Sequence, residues 1–258
     1  MKIILFLVIP VLIFITTHTA SSAAAEEDPG DSYDRVLKRY VSEEGMVDYK
    51  ALKGDKEFQR YIEYLFATDP DTLPSDKHRL AFWINAYNAF VLKGVLEEYP
   101  IESVLDVGWI PHSFFIWKKF KTQEGNITLR KIENKILREG FDEPRIHFAI
   151  SCASMSCPKL RREAYRAEEL DRQLDDQAVY FINNKKKNYL DRKNKTLYLS
   201  SVFEWYKEDF VEKGEKIQDY VIQYLNPEDA EFIRNNKADV EYLEYDWGLN
   251  DQNDKGKY

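Results

Sequence analysis

The sequence predicts an α+β fold: a mostly antiparallel sheet of hairpins packed on a central buried helix at about residues 77–98, with helices flanking it. Three observations predict it. The run Leu80-Ala81-Phe82-Trp83-Ile84-Asn85-Ala86-Tyr87-Asn88-Ala89-Phe90-Val91-Leu92 is apolar nearly all round, the mark of a helix buried on every side. Two pairs of short β-rich runs, around 114–129 and 189–199, are each split by turn residues and read as hairpins. The stretches before residue 70 and after 201 repeat apolar residues at helical spacing, so each has a face to bury against that centre.

Taken in order, the first 25 residues stand outside the fold. Lys2 precedes an apolar run from Ile3 to Ile15, and small residues lead to Ala23-Ala24-Ala25 before Glu26. This is the pattern of a secretory signal peptide cleaved near Ala25, and it is too short for a spanning helix. The mature protein is therefore expected to be secreted or periplasmic, with no stable membrane anchor after cleavage. Residues 26–69 read as an N-terminal helical cover. Tyr33, Val36, Leu37, Tyr40 and Val41 form one stripe ended by Gly45; Phe58, Tyr61, Ile62, Leu65 and Phe66 form a second, broken by Asp69-Pro70.

The main domain is expected over 70–250, with a core at 75–212 and C-terminal helices and a strand over 213–250. Ser75 caps the central helix and Pro100 stops it. Phe114–Phe120 and Asn126–Leu129 form the first hairpin, and Thr128 then caps a helix that runs to Arg138 and ends at Gly140. Ile146 to Ser151 reads as a buried strand. Leu170, Leu174, Ala178, Phe181 and Ile182 mark a further helix; 189–191 and 196–199 pair across Arg192–Lys195; Ser200 or Ser201 caps a helix carrying Phe203, Trp205, Tyr206 and Phe210. Another helix carries Ile217 to Leu225, Val240 and Tyr242 mark a late strand, and the polar tail 251–258 is expected to be disordered.

Composition narrows the function. A formal net charge of −8 argues against nucleic acid or an anionic membrane as partner. Two cysteines cannot staple a fold of 258 residues, so packing must hold it, and 14 % aromatic residues supply a large core. No cofactor motif appears. A metal site is not expected either, because Cys152 and Cys157 are separated by four residues and lack further ligands.

Reactive groups concentrate in Arg145-Ile146-His147-Phe148-Ala149-Ile150-Ser151-Cys152-Ala153-Ser154-Met155-Ser156-Cys157-Pro158. Three readings of it compete. Cys152 can be a nucleophile with His147 as its base, which requires a turn near Ser151, since an unbroken strand would put the two on opposite faces. Cys152 and Cys157 can form a disulfide, which an oxidising compartment favours. Both can instead be buried thiols beside a hydrogen-bonded core histidine. In the catalytic reading Glu133 orients His147 and Asn85 helps hold an oxyanion. Asn85 and Asn88 share a face of the central helix, where they either tie down loop backbone or line a pocket together with Tyr87 and Trp83.

Several ordered motifs bring a resemblance. Phe82-Trp83-Ile84-Asn85-Ala86-Tyr87-Asn88-Ala89, Ile132-Glu133, Ile146-His147-Phe148-Ala149 with Cys152 and Ser156-Cys157-Pro158, Phe203-Glu204-Trp205-Tyr206 with Asp209-Phe210, and Tyr245-Asp246-Trp247-Gly248-Leu249-Asn250 together resemble the domain-of-unknown-function 547 family. The resemblance implies a site at these residues and names no reaction. Asn134 stands where a His is expected after the Glu. The layout is also similar to papain-like and transglutaminase-like enzymes, although there the nucleophile opens the buried helix, where this chain has no thiol. The lead expectation is a thiol-dependent hydrolase or acyl transferase acting on an amide or ester of a small molecule or peptide. A non-catalytic binding domain, or a redox or structural Cys152–Cys157 pair, are the alternatives.

Overall fold

A computed structural model describes residues 28–123 and 125–254; the expected signal peptide lies outside the described residues. The N-terminal cover is present as α1 (Pro29–Tyr40), a single turn α2 (Tyr49–Leu52) and α3 (Lys56–Ala67). Asp28 and Asp55 cap α1 and α3 by accepting from the amides of Gly30 and Phe58, each at 2.8 Å. The two apolar stripes meet, with Tyr33 stacked on Tyr61 at 4.1 Å between centroids.

The central helix is α4 (Asp76–Glu98), capped by Ser75, and every residue from Leu80 to Leu92 is buried. Next comes a short turn α5 (Ser113–Ile116), where the sequence suggested the start of a strand. The hairpin itself is shorter than expected: β1 (Lys119–Thr122) pairs antiparallel with β2 (Gly125–Thr128). Phe120 stacks on Phe90 at 4.9 Å, which fixes this hairpin to α4. Thr128 then caps α6 (Leu129–Lys131), which runs into a π-helix over Ile132–Arg138.

The largest departure is at Ile146–Ala149, which forms the helical turn α7 in place of a strand. A short apolar run fits a buried helix as well as a buried strand, and period alone does not separate them. Helical rotation lets neighbouring residues serve different sides: Ile146 and Ala149 join the core around α4, and Phe148 packs on Phe181, Phe203 and Phe210 in a second core. A papain-like or transglutaminase-like layout requires a strand to carry the histidine, and His147 is not on one.

Around the second core lie α8 (Leu170–Ile182), β3 (Tyr189–Asp191), β4 (Thr196–Ser200), α9 (Ser201–Trp205), α10 (Lys207–Phe210), α11 (Ile217–Val221), α12 (Pro227–Asn236) and β5 (Asp239–Leu243). Strand β4 pairs antiparallel with β3 and parallel with β5, Thr196 standing opposite Asp239, so this sheet is mixed. The helices α9 to α12 supply the crossover that a parallel pair needs. Leu197 and Leu199 belong to the second core, so of the two sheets the first hairpin is the one that shares the core of α4. The fold is α+β, with less sheet on the central helix than the sequence suggested.

Beyond β5 the chain returns across the molecule. Ser154 bridges Leu249, and Val47 bridges Asp251, whose carboxylate accepts from the Tyr99 hydroxyl at 2.7 Å. The expected loose tail is thus tied down at its start. Among the described residues no helix is long and apolar enough to cross a membrane.

Candidate active site

A cleft of about 520 Å³ opens where α7, the π-helix, α9 and the Tyr245–Trp247 segment converge. Its lining includes Tyr87, Glu133, His147, Cys152, Cys157, Trp205, Tyr206, Tyr245 and Trp247, so the structure brings most of the expected site residues together. His147 arrives on the turn α7. Backbone bonds from Ile146 to Glu143 and from His147 to Pro144 start that turn, and the amide of Ile150 closes it on Ile146 at 3.1 Å. The chain then extends, and Ala153 takes a left-handed conformation (φ 64°) that swings the cysteine loop back toward the cleft. Between His147 and Cys152 the chain leaves the helical turn at Ile150, so the two residues do not share one unbroken strand.

His147 has a carboxylate partner, but it is not Glu133. Its Nε2 lies 2.7 Å from Asp209 Oδ2, and Asp209 is also gripped by Arg138 through Nε at 2.5 Å and Nη2 at 2.9 Å. Burial alone would raise the Asp209 carboxyl, yet hydrogen bonds from His147 and Arg138 outweigh it and hold the group well below the usual carboxylate range. An ionised Asp209 only accepts, so Nε2 is the ring nitrogen that donates to it. The imidazole is further fixed by stacking on Tyr206 at 4.1 Å and by the tilted ring of Phe210 at 5.2 Å.

Glu133 has a different task. Its Oε2 accepts from the Tyr87 hydroxyl at 3.2 Å and its Oε1 from the Tyr206 hydroxyl. Burial first, and the carboxylate second, raise both phenols well above the usual tyrosine range, so they stay protonated and donate. Tyr206 therefore stands between the two groups, with its face on His147 and its hydroxyl on Glu133.

Cys152 and Cys157 are joined as a disulfide, and among the described residues there is no free cysteine. The Cys152 sulfur lies 3.0 Å from Ser154 Oγ and 3.1 Å from the Tyr245 hydroxyl, and the Cys152 amide donates to Cys157 Sγ at 2.7 Å.

Three expected site residues lie elsewhere. Asn85 is buried away from the cleft lining and is held by Tyr165, donating to its carbonyl and accepting from its amide, both at 2.9 Å. Asn88 donates to the carbonyl of Ala149 at 3.0 Å and accepts from the amide of Ser151 at 2.8 Å, so it fixes the loop from behind. Trp83 is buried against Phe82 and borders a small separate cavity next to Leu65. Tyr87 alone of the helix α4 residues reaches the cleft. The residues that spacing missed are Asp209, which stands 62 positions from His147, and the aromatic wall of Trp205, Tyr206, Tyr245 and Trp247. The signal that did reach them was the family resemblance, whose motifs hold Trp205-Tyr206, Asp209 and Tyr245-Asp246-Trp247 without giving any of them a role.

Searches against curated proteins and against solved structures match nothing. Residues 70–182 match the family described as "Protein of unknown function, DUF547", so over the stretch that holds α4, Glu133, His147 and both cysteines this chain resembles that family.

Proposed function

We propose that the cleft is a thiol-dependent acyl-transfer site, a hydrolase or acyl transferase acting on an amide or ester, whose nucleophile is Cys152 once a dithiol reductant has opened the Cys152–Cys157 bond. The observation that carries this is the His147–Asp209 pair at 2.7 Å, with His147 and Cys152 both among the residues that line the cleft. Reduction adds two electrons and two protons and yields two thiols. His147 Nδ1 takes the Cys152 proton, the thiolate attacks the carbonyl carbon, and the imidazolium returns its proton to the leaving group; water then releases the acyl group from sulfur. Asp209 keeps the imidazole in the required tautomer, the role expected of Glu133. Opening the disulfide also frees the Cys152 amide from Cys157 Sγ, which makes that N–H an oxyanion donor in place of Asn85. Export by the N-terminal segment would deliver the protein in the disulfide form, so its activity would depend on a reductant outside the cytoplasm.

Rate of alkylation by iodoacetamide, followed from pH 5 to 9 on reduced protein, tests this directly. Cys152 should react at pH 6 as a thiolate, and His147→Ala should move its profile toward that of an ordinary thiol, near pH 8.5. Hydrolysis of p-nitrophenyl acetate should appear only after reduction and fall by roughly 100-fold or more in Cys152→Ala. An ordinary thiol profile in the native sequence would overturn the proposal. The second reading, a binding domain, is favoured by the absence of a free thiol among the described residues.

A further inference from the structure

The walls of the cleft carry more information about its ligand than the thiol does. Tyr245 lies 4.6 Å from Trp247 and 4.8 Å from Trp205, and the two indoles are nearly parallel at 6.0 Å, so three rings form one continuous wall. Trp205 is 47 % exposed and lines the cleft, so part of its ring is open to a ligand. Tyr87 and Tyr206 close the other side, with both hydroxyls on Glu133.

Glu133 is the unexplained member of this set. It is half-buried, it is not the partner of His147, and no ion pair to it occurs among the described residues. Arg138, whose guanidinium sits over the Tyr206 ring at 4.9 Å from its centroid, is committed to Asp209 and to Asn134 Oδ1 at 2.6 Å. A carboxylate has about four lone-pair sites, and the two phenols use two of them. The cleft thus holds a fixed negative charge, with spare acceptor capacity, among ring faces that are themselves negative. Arg130, three residues earlier, lines the same cleft but is exposed, where solvent screens it.

We infer that the cleft recognises a ligand bearing an ammonium group, held between the Tyr245–Trp205–Trp247 wall and the Glu133 carboxylate. Ring faces attract such a cation electrostatically, and they do so best when several surround it. The acidic chain adds a long-range attraction of the same sign. This names the substrate class for the cleft proposed above. It rests on that cleft being a ligand site and not on the thiol chemistry, so it is tested on the disulfide-bonded protein.

The experiment is a tryptophan-fluorescence titration of that form with choline chloride and with 3,3-dimethylbutan-1-ol, its neutral isostere, at constant ionic strength. Choline should give a saturable change and bind at least about tenfold more tightly than the alcohol. Glu133→Gln should abolish that preference, and Trp205→Leu, at a half-exposed position that does not threaten folding, should weaken choline by about tenfold. Equal binding of the two probes, no saturable change with choline, or a preference that survives Glu133→Gln would overturn the inference. An unreactive Cys152 in the alkylation experiment would leave it standing, and choline binding would not rescue the thiol mechanism.

Discussion

Asn88 shows how one side chain can decide the geometry of a site it never touches. Its amide satisfies the carbonyl of Ala149 and the amide of Ser151, the two backbone groups between the helix that carries His147 and the loop that carries Cys152. Both lie in the interior, where an unpaired polar group costs roughly 1–3 kcal/mol. Asn88→Ala should therefore destabilise the protein by about 2–4 kcal/mol, read as a shift of the urea midpoint with an unchanged slope. An effect below about 0.5 kcal/mol would mean that water replaces the amide there. That Asn85 and Asn88 need partners was legible in the sequence, because a buried amide is costly unpaired. Which partners they take was not, since Tyr165 and Ser151 stand 80 and 63 residues away. The same limit hid the partner of Asp209, a motif residue that stands 62 positions from His147. A histidine paired with a carboxylate could be anticipated, and Glu133 was the wrong carboxylate because a tyrosine ring occupies the space between it and His147.

At the scale of elements, local chemistry was the reliable guide. Ser75, Thr128 and Ser200 cap the helices their positions suggest, and the apolar stripes of α1, α3 and α8 are buried. The run from Ile146 failed because it is short and mostly apolar and so carries no clear period, and residues of the turn pack into both cores. Gly94 tests the packing of α4 in the same terms. A Cβ there would stand 2.8 Å from the ring of Phe114, which is fully buried and has no room to yield. Helix propensity favours alanine over glycine by about 1 kcal/mol, while overpacking costs about 1–3 kcal/mol. Gly94→Ala should then lose up to about 2 kcal/mol despite its better propensity, measured by chemical denaturation. Adding Phe114→Leu should restore much of the loss, and a stabilised single variant would show that α5 shifts freely against α4.

At the scale of the whole molecule, the segment after β5 ties the cysteine loop to the N-terminal cover, and its 245–250 stretch stood out in the sequence as a motif ahead of the expected loose tail 251–258. Its backbone pairs successively with the cysteine loop, through Met155 to Gly248 at 2.8 Å and Asn250 to Ala153 at 3.1 Å, and with the cover, through Val47 to Asn250 at 2.8 Å. The motif gave no partners for it, because these contacts lie some 100 to 200 residues away and no local pattern reports them. Asn250 is the centre of the strap. Its side chain accepts from the Tyr49 hydroxyl at 2.7 Å and donates to the carbonyl of Gly45 at 3.0 Å, all in the interior. Asn250→Ala keeps the backbone bonds and removes both side-chain bonds, leaving a buried hydroxyl and carbonyl unsatisfied at a cost of about 2–4 kcal/mol. For a domain of this size that lowers the melting temperature by roughly 5–15 °C. The same segment supplies Tyr245 and Trp247 to the cleft, so loosening it should also shift tryptophan emission to longer wavelength below the melting transition. A fall in melting temperature without that shift would show that the strap braces the N-terminal cover alone; the shift and the fall together would show that the cleft wall is positioned from the far end of the chain.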